Sequence, residues 1–307
     1  MALDPAMQAV IEAKLRHSSA PQWELPLDDV RKGFLAFWTP QVTGPSPQLH
    51  DVRNRTIAGD GVDVPVRIYR PAASTDKPAV VFIHGGGWVK GGLDETEVFC
   101  RRVALATGRV TVSVAYRLSP EWKFPAALDD CATAAAWIAA NGGEIGAAAG
   151  PIVLVGESAG GNLAAVVCLK SLTDRELRLS HQILLQPVLD VTLSFPSIDM
   201  AADRCLVPRA DLVWYYDQCF DGHDPRDPTV SPIFAADLAG LPPALIIAAE
   251  YDSLRDEAQA YAAKLRSAGV DAVYSCYPGM IHGFLQMAGL TGDAQRAIDE
   301  IARFIAM

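Results

Sequence analysis

Pro151-Ile-Val-Leu-Val-Gly-Glu-Ser-Ala-Gly-Gly161 sets an apolar, β-branched run directly against a serine between two glycines, and a helix-forming stretch follows at once. Such a run reads as a strand buried on both faces, as in a parallel sheet covered by helices. The reversal from strand to helix is sharp enough to strain the serine backbone and to exclude side chains beside it, so Gly156 and Gly160 meet a steric need. Ser158 is therefore expected to stand above the carboxyl edge of the sheet, free to act as a nucleophile.

A second glycine-rich segment, His84-Gly85-Gly86-Gly87-Trp88, follows another buried run, Ala79-Val-Val-Phe-Ile83. Attack on a carbonyl builds negative charge on its oxygen, and backbone N–H groups reach that oxygen closely only where no Cβ intervenes. The pairing of this loop with the serine turn predicts an oxyanion hole built from the N–H groups of Gly86, Gly87 and Ala159.

At these two motifs the chain resembles the bacterial branch of the hormone-sensitive lipase-like esterases, a family of α/β-hydrolases. The likeness extends through Ala115-Tyr-Arg-Leu-Ser-Pro-Glu121, Phe124-Pro-Ala-Ala-Leu-Asp-Asp130, Tyr251-Asp-Ser-Leu-Arg-Asp-Glu257 and His282-Gly-Phe284, from about residue 50 to the C-terminus. It implies an α/β-hydrolase domain with a mostly parallel eight-stranded sheet and a helical cap. It also implies hydrolysis of short- to medium-chain acyl esters without cofactor or metal, and a histidine at position 84 that, with Gly85, braces the loop rather than reacting. Glu157, Ser253 and Gln186 stand where the family often has Asp, Pro and Tyr; these departures are read as bearing on substrate and not on chemistry.

Serine needs a base, and the base needs an orienting third group. In α/β-hydrolases the order along the chain is serine, acid, histidine. Of His181, His223 and His282, only His282 lies after the last strand signal, in a loop spanning residues 278–284. The buried run Ala244-Leu-Ile-Ile-Ala-Ala-Glu250 places Asp252 just past a strand end, where ligand sites of open α/β sheets form. Asp190 and Glu250 are the competing carboxylates, whereas Asp256 and Glu257 fall in the first turn of a helix, where they suit the helix dipole without further role. Glu121 and Glu157 read either as a buried polar network under the serine turn or as solvated carboxylates.

Residues 1–47 differ from the rest. Met7, Val10, Ile11 and Leu15, then Val30, Phe34, Phe37 and Trp38, recur at helical spacing and predict two amphipathic helices, with Pro40, Gly44, Pro45 and Pro47 as a linker. These helices are expected to form part of the cap over residues 48–307. Residues 190–235, rich in aromatics and prolines, are expected to form the second part. Trp88, Phe34, Trp38, Leu206, Trp214, Tyr215 and Phe284 are the candidates for the substrate pockets. Strands are expected near 50–58, 62–70, 78–84, 109–116, 151–157, 181–187, 243–250 and 271–277, and Asn141-Gly142-Gly143 as a helix C-cap.

The chain has 307 residues and a formal net charge of −10, which opposes binding to nucleic acid or an anionic membrane surface. No apolar run reaches the ~20 residues of a membrane span, and the beginning carries no basic, apolar leader pattern, so a cytoplasmic location is expected. Six scattered cysteines and six scattered histidines form neither a disulfide framework nor a metal motif. The expected partner is a small-molecule ester, and the sequence leaves homo-oligomerisation open. An amidase, lactonase or deacetylase would use the same residues; a non-catalytic receptor of this fold, as in plant gibberellin receptors, lacks the triad histidine, and His282 is present here.

Overall fold

The apolar runs become the inner strands of one sheet. The computed structural model describes residues 2–17, 20–59 and 61–307. In chain order its elements are α1 (Pro5–His17), α2 (Leu27–Phe37), α3 (Pro40–Thr43), β1 (Asp51–Ala58), β2 (Asp63–Arg70), β3 (Pro78–Ile83), α4 (Glu97–Thr107), β4 (Thr111–Val114) and α5 (Ala126–Ala140). There follow α6 (Gly142–Ile145), β5 (Ala148–Glu157), α7 (Ala159–Ser171), β6 (Leu179–Leu185), α8 (Arg209–Phe220), β7 (Ala244–Tyr251), α9 (Arg255–Ser267), β8 (Ala272–Ile281) and α10 (Asp293–Phe304).

The strands lie in the order β1-β2-β4-β3-β5-β6-β7-β8. β1 and β2 run antiparallel to each other, as do β2 and β4, and all later pairings are parallel. Every residue of β4 and all but the first of β3 are buried, as a sheet covered on both faces requires. One apolar core lies under α5, α7 and α9 and includes Ile138, Leu163 and Tyr261. The other lies under α1, α4 and α10 and gathers Met7, Phe99, Val103, Ile298 and Ile301.

From β3 the chain crosses to β4 on one side and then returns to β5 on the other. The crevice outside the carboxyl ends of β3 and β5 is thus the topological switch point, the usual binding place in open α/β sheets. Ile83 pairs with Gly156 across that boundary, and Tyr251 with Ile281 across β7 and β8. Four chain segments consequently leave the sheet at one edge.

Several expectations require correction. β8 does not stop near 277: it runs on to Ile281, so His282 sits directly on a strand end and not in a free loop. The extra residues are absorbed by a register shift, since Ala249 pairs with Tyr277 but Tyr251 with Ile281, and Gly279 takes φ +73° within the shift. The strand expected over 109–116 is only Thr111–Val114. Gly142 and Gly143 do not end α5 in a left-handed cap; they begin α6, and the left-handed residue is Gly146 at φ +84°. Space decides this, because a Cβ on Gly142 would stand 2.3 Å from the Ala148 carbonyl. Pro40 opens the short helix α3 instead of belonging to a plain linker. On α1, Met7, Val10 and Ile11 enter the core while Leu15 remains exposed. All six cysteines are free and five are buried.

Gly160 lies where α7 abuts the end of β3, and a Cβ there would meet the Ile83 and His84 carbonyl oxygens at 2.1 and 2.4 Å. Gly160→Ala is expected to cost about 1–3 kcal/mol or more, as overpacking does. Gly143→Ala, a helical site with open space around it, is expected to leave stability unchanged or raise it by up to ~1 kcal/mol. Denaturant unfolding of the two variants checks the contrast.

Candidate active site

Ser158 occupies φ 55°, ψ −118°, a region costly for any residue with a Cβ and maintained only where the surroundings impose it. Its N–H donates to the Leu185 carbonyl at 2.8 Å, and its own carbonyl accepts from the N–H groups of Asn162 and Val188, each at 3.1 Å. Because nothing larger than glycine fits at 160, the first turn of α7 closes onto the end of β3. Ala159, its first residue, is thereby brought to the segment that carries Gly86 and Gly87.

His84 braces that segment from beneath. One ring nitrogen, Nδ1, lies 2.7 Å from the Gly85 carbonyl oxygen, and the ring stacks on Tyr116 with centroids 4.1 Å apart. Burial lowers its pKa to about 4, so near neutral pH the imidazole is uncharged. The Tyr116 hydroxyl donates to the His84 carbonyl at 2.9 Å. Gly87 is overlaid by an aromatic ring: a Cβ there would come within 2.3 Å of Tyr215.

Because Tyr251 and Ile281 are paired, Asp252 and His282 emerge side by side from β7 and β8. Asp252 is 1% exposed; its Oδ2 accepts from His282 Nδ1 at 2.9 Å and its Oδ1 from the Leu254 N–H at 3.0 Å. Burial, the largest single influence on His282, lowers its pKa, but the charge and hydrogen bond of Asp252 and the charge of Glu157 outweigh it and raise the pKa. The competing carboxylates are engaged elsewhere. Asp190 accepts from the N–H and hydroxyl groups of Thr192 and Ser194, Glu250 from the Gly279 N–H, and Asp256 from the Ser197 N–H and from Arg255. Glu257 is more than the helix-start carboxylate without further role expected from sequence. It is fully buried, accepts from the Leu189 N–H at 2.7 Å, and burial raises its pKa well above the carboxylate range.

Two side chains that sequence reasoning did not assign to the site hold it in place. Gln186, at φ 46°, donates to the Ile281 carbonyl at 3.0 Å and accepts from the Gly283 N–H at 2.7 Å, gripping the backbone on either side of His282. The departure at position 186 therefore bears on the positioning of His282 and not on substrate alone. Gln286 donates to Glu157 Oε2. Glu157 itself is buried, with Oε1 unpartnered, and burial raises its pKa to about 7. Glu121 shares no network with it: exposed at the surface, it makes a bidentate pair with Arg31 of α2, both bonds 2.7 Å.

Ser158, His282 and residues 85–87 line one cavity of about 650 Å³. Of the pocket candidates, Trp88, Phe34, Trp38, Leu206 and Tyr215 line it. Trp214 and Phe284 do not. On α8 the cavity takes Asp211, Leu212, Tyr215 and Tyr216, which leaves Trp214 on an adjacent face beside Tyr215. Phe284 is fully buried against Tyr277, centroids 5.0 Å apart, in the core that also holds residues of α10. His181 and His223 are absent from the lining and contact Phe304 and Phe124 instead. Among the described residues no group of three or more His, Cys, Asp or Glu side chains is arranged to hold a metal ion.

A strained serine turn after one parallel strand, a glycine loop after its neighbour and a hydrogen-bonded aspartate–histidine pair after the last two are the arrangement of a hydrolase class. Residues 80–286 match the family model described as the alpha/beta hydrolase fold. The chain belongs to the hormone-sensitive lipase-like esterase family of α/β-hydrolases. It is 40% identical over 252 residues to the carboxylesterase NlhH of Mycobacterium tuberculosis, spanning 79% of this chain and 77% of that one. It is 31% identical to the ethyl acetate hydrolase of Pseudomonas putida over 97% of this chain and 96% of that one. A solved structure of a hyperthermophilic esterase from the archaeon Pyrobaculum calidifontis superimposes with a TM-score of 0.92 at 37% identity, covering 99% and 97% of the two chains.

Glu157 has a folded-state pKa of about 7 against an ordinary 4.5. Between those values the unfolded chain has released this proton and the folded chain still holds it, so stability drawn from the group falls as pH rises across the window. Glu157→Gln, which keeps an acceptor for Gln286 but cannot ionise, is expected to flatten that fall. Melting temperatures at pH 5 and pH 8 for both proteins measure it; equal slopes would count against a protonated buried carboxyl.

Proposed function

We infer that this chain hydrolyses carboxylic esters through a Ser158–His282–Asp252 triad and an acyl-enzyme intermediate. The observation that carries the reading is the 2.9 Å bond from His282 Nδ1 to Asp252, made beside a cavity that Ser158 also lines. With Nδ1–H donated to Asp252, the Nε2 lone pair is the basic site of the ring. It takes the Ser158 proton as Oγ attacks the carbonyl carbon, and Asp252 stabilises the imidazolium that results. Charge on the carbonyl oxygen is received by the N–H groups of Gly86, Gly87 and Ala159. The imidazolium then protonates the departing alcohol, and water deprotonated by His282 releases the acid. The activities for which these relatives are named, carboxylesterase and ethyl acetate hydrolase, support the same reaction class.

The segments expected as a cap supply the roof in this reading. Residues 13 and 14, residues from the stretch 20–38 and residues from 206–216 line the cavity above the serine. Lys14 ties the first to the second through Asp211 at 2.6 Å and the Leu206 carbonyl at 2.8 Å. Arg31 ties α2 to the loop behind the glycines through the Val89 and Ser119 carbonyls. A roof built from Val30, Phe34, Phe37 and Trp38 suits short to medium acyl chains. The free, mostly buried cysteines suit a reducing, cytoplasmic setting.

A panel of 4-nitrophenyl esters from acetate to palmitate, run beside matched anilides, separates ester from amide hydrolysis. Ser158→Ala and His282→Ala are each expected to abolish turnover, and the double variant to lose little more, because groups acting as a unit are not additive. Asp252→Asn is expected to lower kcat on the order of 10⁴, the loss found for that change in a serine protease triad. In the wild type, kcat/KM is expected to rise with pH through an ionisation above 6.5, since His282 must be neutral to act and its pKa is raised; a profile flat from pH 6 to 9 would oppose His282 as the base.

Phe34 and Trp38, whose rings meet edge-on at 5.8 Å, test the roof. Phe34→Ala and Trp38→Ala are expected to shift the preferred acyl length while moving the melting temperature little. A large loss of stability with an unchanged ester profile would make the stripe core and not roof.

A further inference from the structure

Two residues past the oxyanion glycines and Trp88, a lysine enters the cavity. The Lys90 ammonium lies 4.8 Å from the Phe34 ring centroid and 5.3 Å from that of Tyr215, and it donates to Gln22 Oε1 at 3.2 Å. Among the described residues no carboxylate stands within ion-pair distance of it. The carboxylate whose charge reaches it, Asp211, is held by Lys14 at 2.6 Å. Two ring faces and one amide oxygen compensate poorly for the water an ammonium gives up, and burial lowers the Lys90 pKa to about 8, which leaves the group mostly charged near pH 7.

Gln22 sharpens the picture. Its Oε1 also accepts from the Tyr215 hydroxyl at 3.0 Å. An ammonium offers donors alone, so the amide must turn its oxygen to Lys90. That orientation leaves Nε2, a buried donor on a residue of the cavity wall, without a partner. A cation without a counterion and an unused amide donor stand on one wall, beside the Tyr215 ring that overlies Gly87. Their shared complement is an anionic acceptor with two oxygens.

We propose that Lys90, with Gln22, forms a carboxylate-binding subsite, and that the preferred substrates are esters bearing a second, ionised carboxylate, such as hemiesters of dicarboxylic acids. This rests on the esterase reading above and names its substrate class. The carboxylate displaces no protein partner: it receives a charge-assisted bond from Lys90 Nζ and an amide bond from Gln22 Nε2, and the aromatic walls exclude water from both.

The test compares kcat/KM for mono-4-nitrophenyl glutarate with that for 4-nitrophenyl pentanoate, and for 4-carboxyphenyl acetate with that for phenyl acetate. The first pair puts the carboxylate on the acyl side and the second on the alcohol side. Lys90→Met is expected to lower the anionic-to-neutral ratio of one pair by roughly tenfold to a hundredfold; Lys90→Arg is expected to keep most of it, and Gln22→Leu to lose part. A ratio unchanged by Lys90→Met in both pairs overturns the proposal. So does an equal fall on anionic and neutral esters with a lowered melting temperature, which would make Lys90 a strut for residues 20–25. Should Lys90→Met fail to fold, competition on the wild type decides: glutarate must inhibit turnover of 4-nitrophenyl butyrate more strongly than pentanamide does, and equal or weaker inhibition overturns the subsite. Turnover of 4-nitrophenyl butyrate without any carboxylate preference sinks this inference alone, whereas no turnover of any ester sinks the esterase reading with it.

Discussion

Strand register is the constraint on which everything else in this molecule depends. Ile83 opposite Gly156, and Tyr251 opposite Ile281, fix the level at which four segments leave the sheet. A one-residue slip in a strand turns its side chains to the other face, which would turn His282 away from the cavity or carry Asp252 away from His282. The apolar burial of β3, β5 and β7 on both faces makes such a slip expensive. The positions of Ser158, Asp252 and His282 are thus inherited from the core, and the local hydrogen bonds of Gln186, His84 and Leu185 refine a placement already made.

Above that floor the connections are of another kind. No strand pairing joins the N-terminal helices or α8 to the sheet; apolar packing of α1 and α8 on the two cores, the Asp4 N–H on the Gly279 carbonyl and a set of polar side chains do. Arg31 reaches two carbonyls and Glu121, Lys14 reaches Asp211 and the Leu206 carbonyl, and Tyr215 meets Gln22. Lys14 and Arg31 are partly exposed, so their individual contributions to stability are small. Their value is geometric, because each ends close to the glycine segment or to the wall facing it.

The floor was legible in the sequence because each part of it has a steric or covalent signature. Gly160 must be glycine, the runs 79–83 and 244–250 must be buried strands, and the serine must lie between them. Asp252 and His282 were read from chain order and strand ends, and the structure brings the two side chains within 2.9 Å of each other. What escaped reading depends on contacts between residues distant in the chain. Nothing local at Gln186 tells that it will grip residues 281 and 283, although a residue before proline at a strand end marks an unusual backbone. Glu257 looked like a helix-start carboxylate because its burial is imposed by residues near 189. Trp214 and Phe284 were read as pocket residues on type alone, and a difference of one position around a helix or turn decides which aromatic faces the cavity. Lys90 carried a signal that was available: one charge in the glycine-rich stretch Gly85-Gly-Gly-Trp-Val-Lys-Gly-Gly92.

The way the proposed roof is attached also bears on how such a protein changes over generations. Its two pieces come from opposite sides of the central strands in the chain, and apolar packing together with a handful of polar side chains fastens them. Insertions, deletions and exchanges within 20–38 or 200–220 leave the ladder untouched, so the appetite of the enzyme can drift while its chemistry stays fixed. A laboratory graft of both pieces together, with Lys14, Arg31 and their acceptors, would carry one relative's preferences onto another's scaffold; a graft of either piece alone would arrive without its fastenings.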